Sequence, residues 1–158
     1  MRSLSAGFLA SAERYPERPA LTVVGRSVSY RELRAAAAGL AATLAAHRAP
    51  APDGGEPELP LPAGFGHRHR TTFAGVLAAL FRGHGYVPLN PGFPVDRTRA
   101  MLDRSGAAAM IVDPSALPQL DDVVRGIDRA LVILVPDADV ATTRELALRL
   151  PGHTVLGA

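Results

Sequence analysis

The side chains best suited to chemistry in this sequence fall into a few small groups, each with an ordinary structural reading beside the chemical one. His67, Arg68 and His69 place two imidazoles two residues apart, with His84 further on. A metal ion would need that pair and a third ligand supplied by folding. We read the stretch instead as a solvated strand-to-helix loop. Gly83-His84-Gly85 has the composition of an anion-cradling turn, but it serves equally as a helix exit, and that is the reading adopted. Asp121 with Asp122, and Asp137 with Asp139, are carboxylate pairs of the type glycoside hydrolysis uses. Sequence neighbours on a helix or loop seldom face one another, so we expect solvated charge. Ser105 and Ser115 lack a base partner for nucleophilic chemistry. His47, on an apolar stripe, reads as a helix-end histidine favoured by about 0.5 kcal/mol near the negative end of the dipole.

Whole classes of chemistry are closed by what the sequence omits. With no cysteine there is no disulfide, thiolate metal site or cysteine nucleophile. All 17 basic residues are arginine, which accounts for the isoelectric point near 9.7. Without a lysine, a GxxxxGK[ST] phosphate loop is impossible within these residues. The net charge of +2 is small and the arginines are scattered, so the expectation is no nucleic-acid partner. The longest apolar runs, Ala130 to Val135 among them, are far short of the roughly 20 residues that cross a bilayer, and no signal-peptide core precedes a cleavage site. We therefore expect a soluble, cytoplasmic protein with no membrane partner.

The elements that would position these residues follow from periodicity. Leu4 to Arg14 has a helical stripe at Leu4, Phe8, Leu9 and Ala12. Ala20 to Val24 and Ser27 to Ser29 read as a hairpin turning at Gly25-Arg26. From Tyr30 to His47 the residues Leu33, Ala37, Leu40, Leu44 and His47 recur at steps of four and three, and Ser29 with Glu32 forms a capping box at the entry. Ala49 to Pro62, rich in proline, glycine and acids, reads as a loop that does not separate domains. Beyond it strand and helix alternate. The strands are Leu61 to Phe65, Tyr86 to Leu89, Ala108 to Val112, Leu131 to Val135 and Thr154 to Leu156. The helices are Thr72 to Arg82, carrying Phe73, Val76, Leu77 and Leu80, then Pro94 to Arg104, Pro114 to Arg125, and one after Thr142 with a second capping box to Glu145. This alternation predicts an α/β fold with a mostly parallel sheet flanked by helices, preceded by an N-terminal helix and β-hairpin. Stopping on a strand suggests an incomplete sheet with an open edge, and hence a marginal or self-associating isolated chain.

Two stretches resemble the opening motifs of the adenylate-forming (AMP-binding) enzyme superfamily. The first, Val28-Ser29-Tyr30-Arg31-Glu32-Leu33, is similar to Leu, Thr or Ser, Tyr, any residue, Glu, Leu. The second runs from Leu80 through Gly83, Tyr86-Val87-Pro88-Leu89-Asn90-Pro91 and Phe93-Pro94 to Arg97, and resembles Leu-Lys-Ala-Gly-x-Ala-Tyr-Val-Pro-Leu-Asp-Pro with its following aromatic-Pro and Arg. It departs from that pattern at Phe81, Arg82, Gly85 and Asn90. The phrase from Phe8 to Pro19-Ala20-Leu21, and Met101-Leu102-Asp103-Arg104-Ser105, are also similar to family segments. Resemblance spans roughly Phe8 to Asp113, and its nearest form is the amino-acid adenylation domain of nonribosomal peptide synthetases.

The resemblance implies residues 1–158 as a partial N-terminal subdomain of an AMP-binding domain, including the Pro/Gly-rich loop at about 49–62. In the complete enzyme, which would require ATP and Mg, a carboxylate attacks the α-phosphate to give an acyl-AMP and pyrophosphate, and the acyl group then passes to a carrier thiol as AMP leaves. Expected partners are the remainder of the adenylation domain and a carrier protein with a phosphopantetheine arm. The family's Ser/Thr/Gly phosphate loop, ribose-binding Asp and late lysine have no match in these residues. We therefore assign no catalytic, cofactor-binding or metal residue and expect a scaffold that is inactive and binds no cofactor alone. The alternatives are a noncatalytic adenylation-like interaction module of a biosynthetic assembly line, and a free-standing doubly wound nucleotide-binding domain argued from fold analogy.

Overall fold

The computed structural model describes residues 4–47 and 61–157. The N-terminal helix α1 (Ala6–Arg14) leads into a hairpin of β1 (Pro19–Val23) and β2 (Arg26–Ser29), followed by α2 (Tyr30–Ala46). Then come β3 (Pro62–Phe65), α3 (Arg70–Phe81), β4 (Val87–Leu89), α4 (Val95–Ser105) and β5 (Ala109–Val112). A 3-10 turn at Leu117–Gln119 runs into α5 (Leu120–Val124), and β6 (Val132–Leu134), α6 (Val140–Arg149) and β7 (Thr154–Leu156) complete the order. The hairpin is antiparallel, and β3 to β7 form a parallel sheet ordered β4-β3-β5-β6-β7. The class is α/β, as the alternation predicts. Apart from its last two residues, the Pro/Gly-rich segment lies outside the described residues.

A sheet paired in parallel must be covered on both faces, and alternate side chains sort accordingly. Ala63, Phe65, Met110, Val112, Leu131, Ile133 and Val135 face α4, α5 and α6, where Leu102, Leu120, Val123 and Leu146 meet them. Ile111, Val132 and Leu134 face the other way, toward Leu33, Leu40 and Leu44 of α2 and Ala74 and Ala78 of α3. Phe8 and the hairpin residues Leu21 and Val28 pack against this second cluster. Leu131 to Val135 is buried throughout, as expected of a central strand.

The predicted caps hold where they are local. Ser29 accepts from the Glu32 N–H at 3.2 Å while the Glu32 carboxylate accepts from the Ser29 N–H at 2.8 Å, so the box is reciprocal. The Glu32 carboxylate also accepts the Ser29 hydroxyl at 2.8 Å, and these two donors, the N–H first and the hydroxyl second, hold the Glu32 carboxyl below its ordinary value. Gly83, at φ +75, ends α3, with its N–H on Leu80 O and the His84 N–H on Ala79 O. This Schellman pairing satisfies the last carbonyls of the helix. Pro88 occupies β4, which pairs with β3 alone, so its missing N–H breaks no ladder.

Other expectations are corrected. The α6 cap is Asp139, whose carboxylate accepts the Thr142 N–H at 2.7 Å; Thr142 therefore lies inside the helix, and Glu145 reaches Arg149 instead. Pro114 to Arg125 is no continuous helix, because Ser115 is tied back to Asp113 and Pro118 has no N–H to donate. The hairpin turns at Val24-Gly25, both with positive φ, not at Gly25-Arg26. On α3 the buried face is Thr71, Ala74, Gly75, Ala78 and Ala79, and Phe73 is exposed. This helix is squeezed between α2 and the sheet, where a Cβ on Gly75 would already stand 3.1 Å from Ile111 Cδ1. Small residues permit that approach and large ones do not. His47 does cap the C-terminus of α2, but it is exposed and lies off the buried stripe.

The close seating of α3 predicts that Ala78→Leu lowers the unfolding free energy by about 1–3 kcal/mol in urea denaturation, whereas Phe73→Leu changes it by no more than about 0.5 kcal/mol. A second expectation concerns His153, whose Nδ1 accepts the Leu131 N–H at 3.2 Å and whose pKa burial pushes below its ordinary 6.5. The unfolded chain then binds the proton more readily, so this contribution is complete above about pH 6.5 and declines as pH falls. Thermal melts between pH 7.5 and 5.5 should fall less steeply for His153→Gln, whose amide oxygen still accepts, than for the natural chain.

Candidate functional site

Strand order reverses at the centre of the sheet: β3 is followed by β4 on one side, and the chain then crosses back to place β5 on the other. In open α/β sheets the loops at the strands' C-terminal ends near such a reversal form the ligand crevice. Here they carry the polar residues that the fold gathers from distant positions.

Asp113, immediately after β5, is 1% exposed yet is a carboxylate. One oxygen accepts from the His67 N–H at 2.8 Å and the Thr72 hydroxyl at 2.7 Å. The other accepts from the Ser115 N–H at 2.9 Å and the Ser115 hydroxyl at 2.6 Å. Four donors offset the cost of burying the group without a cation. The carboxylate can approach the β3–α3 loop this closely because residue 66 is glycine, where a Cβ would fall 2.1 Å from Asp113 Oδ2. Asp113 therefore ties the end of β5 to the start of α3.

The same loop contains Arg68 at φ +47, a conformation uncommon for a residue with a side chain. His69 caps α3, its Nδ1 accepting the Thr71 N–H at 3.3 Å. Asp137, beyond β6, takes the Arg70 guanidinium at 3.1 Å and the Thr71 hydroxyl in a short bond. Its Oδ2 also lies 3.7 Å from His69 Nδ1. That nitrogen is the one that accepts the Thr71 N–H, and the carboxylate is already bonded to Arg70 and Thr71.

Around these groups the hairpin, α2, the β3–α3 loop and the segment after β6 enclose a crevice of about 720 Å³. Its wall is apolar at Val28, Leu33, Leu40 and Leu134 and polar at Arg26, Glu32, Arg68, His69 and Asp137.

The residues singled out from sequence separate in space. His69 and His84 stand at opposite ends of α3, whose twelve residues span about 18 Å. Among the described residues no three His, Cys, Asp or Glu side chains converge as metal ligands. Gly83-His84-Gly85 is a helix exit. The paired aspartates are not simply solvated: Asp121 bonds Arg149, Asp122 pairs with Arg125, Asp137 holds Arg70 and Asp139 caps α6. Ser115 serves the Asp113 network, and Ser105 bonds the Leu102 carbonyl at 2.8 Å. Sequence reasoning passed over Asp113 itself, which reads there only as the residue after a strand. A carboxylate directly behind the apolar run Ala109 to Val112 was the available signal.

The segment from Leu80 to Arg97 lies at a helix-to-strand junction: α3, the Schellman turn, β4 and the entry to α4. Asn90 Oδ1 accepts the Gly92 N–H at 2.8 Å to shape the turn, and the Arg97 guanidinium stacks 4.3 Å over the Phe93 ring.

Comparisons with known proteins agree with this placement. The profile of the family described as AMP-binding enzyme matches residues 8–152. AMB antimetabolite synthetase AmbB of Pseudomonas aeruginosa is 32% identical over 140 residues, covering 84% of this chain and 11% of that protein. Surfactin synthase subunit 2 of Bacillus subtilis is 35% identical over 108 residues, covering 68% of this chain and 3% of that protein. Among solved structures, IdnL7 superposes with a TM-score of 0.70 at 34% identity, covering 88% of this chain and 26% of that one. The Vibrio cholerae adenylation domain AlmE gives a TM-score of 0.77 at 20% identity over 99% of this chain and 28% of its own, a likeness of fold. The chain thus spans a small part of the length of these relatives.

The Asp113 clamp predicts that Gly66→Ala destabilises the fold by about 3 kcal/mol, because the added methyl displaces a buried carboxylate from its donors. By contrast, Gly39→Ala, where a Cβ meets nothing within 4 Å on α2, should stabilise by about 0.5–1 kcal/mol. Chemical denaturation of the two variants measures both.

Proposed function

The chain belongs to the AMP-binding enzyme family, and from that premise we propose that residues 1–158 form the N-terminal part of an amino-acid or acyl adenylating domain of nonribosomal peptide synthetase type. The observation that carries this reading is the family match over residues 8–152, together with the Leu80 to Arg97 segment at the junction of α3, β4 and α4. The relatives named as synthetases, and AlmE in complex with glycyl-adenosine-5'-phosphate, support an aminoacyl-adenylate chemistry for the complete protein.

In that protein ATP with Mg would supply the adenylyl group, with pyrophosphate leaving, that turns a carboxylate into an acyl-AMP whose acyl group a carrier thiol can take. The donor set of these 158 residues does not fit an ATP–Mg site by itself. No lysine is present, and among the described residues no carboxylate cluster converges. The contribution of this chain is structural. Asp113 and Gly66 fix the β3–α3 and β5 loops, while the two-sided sheet holds the C-terminal strand ends in place. No helix among the described residues is long and apolar enough to cross a membrane.

The expected outcome is no amino-acid-dependent ATP–pyrophosphate exchange by the 158-residue chain. Exchange should be present in a polypeptide that continues past Ala158 through a Ser/Thr/Gly-rich loop and a lysine. Exchange by the short chain would place the site in these residues and overturn the reading. A longer polypeptide that folds but is inert toward all amino and carboxylic acids tested would favour a noncatalytic interaction module.

A further inference from the structure

We propose that the crevice beside α2 and the β3–α3 loop is an anion site that takes a phosphomonoester carried on a compact apolar body. It uses Arg26 and Arg68 to hold the phosphate. Three separate observations converge there. The crevice, about 720 Å³, has the size of a small-molecule site, and its walls combine apolar side chains with a few polar ones. Arg68, at φ +47 in the β3–α3 loop, lines it. Backbone strain of this kind concentrates at binding sites, where the surrounding structure holds it in place.

Charge supplies the third observation. Among the described residues most arginines have an ion pair, hydrogen bond or aromatic face. Arg26 and Arg68 have none, and both line this crevice. The carboxylates in the same wall are already engaged, Glu32 by Ser29 and Asp137 by Arg70 and Thr71. Two guanidiniums therefore remain uncompensated beside an apolar surface formed by Val28, Leu33, Leu40 and Leu134. A phosphomonoester carries a charge of about −1.5 to −2 at neutral pH and accepts planar, forked donors well. An apolar body attached to it would cover the wall that inorganic phosphate leaves wet.

Nuclear magnetic resonance titration of the 158-residue chain with phenyl phosphate tests the site. Saturable shifts are expected at Arg68, His69 and Val28. Arg26→Gln and Arg68→Gly should each weaken binding at least fivefold. The second substitution also relieves the left-handed strain, so loss of fold is not the cause of weakening. Arg104→Gln and Arg144→Gln, which remove unpaired arginines outside the crevice, should change binding less than twofold. Inorganic phosphate and benzyl alcohol, which separate the charge from the ring, should each bind at least fivefold more weakly. If Arg26→Gln fails to fold, the shift map of the natural chain with the Arg68→Gly result decides. No saturation, equal loss in the Arg104 or Arg144 variants, or equal binding of inorganic phosphate overturns the proposal. The readout is binding to this chain alone, so it stands or falls independently of exchange activity in a longer polypeptide.

Discussion

The parallel pairing of β3 on both sides is the constraint from which the remainder follows. With β4 on one edge and β5 on the other, neither ladder can be closed by a short turn, and each connection must pass over a face of the sheet. Helix α3 covers one face, and α4, returning across β3, covers the other. Both faces of β5 and β6 are thereby buried, which is why Met110, Ile111, Ile133 and Leu134 are all apolar in spite of alternating direction.

Covering the sheet on both sides leaves the ends of the strands as the place where polar groups can gather. The loops after β3, β5 and β6 all emerge at one end, and residues far apart in the chain meet there. Asp113 reaches His67 and Thr72 across more than forty positions, and Asp137 reaches Arg70 and Thr71 across more than sixty. These contacts fasten loops that the sheet alone would leave independent. Burying the Asp113 carboxylate is tolerable because every strong acceptor direction is filled, and the glycine at 66 makes the approach sterically possible.

Features whose physics is local are legible in the sequence. The Ser29–Glu32 box, the glycine exit at Gly83 and the stripe Leu33, Ala37, Leu40, Leu44 each depend on residues within a turn or two of one another. The errors have a common origin. Thr142 has the hydroxyl of a cap, but Asp139, a stronger acceptor just upstream, starts the helix earlier. Periodicity favours the large apolar residues for the buried face of α3, but helix α2 and the sheet lie so near that Ala74, Gly75 and Ala78 occupy it. The aspartate pairs read as solvated charge, whereas Asp121 and Asp137 meet arginines brought by other elements, Arg149 of α6 and Arg70 of α3; Asp122 and Asp139 have local partners.

By itself the sequence determined the order and kind of the elements, the α/β class and the family resemblance, because hydrophobic period, caps and breakers act over a few residues. Which helix face is buried, which carboxylates are held, and the crevice shared by Arg26 and Arg68 emerge when distant segments pack together. Those outcomes depend on strand order and on the closeness of packing between segments distant in the chain, and neither quantity is encoded at any one position.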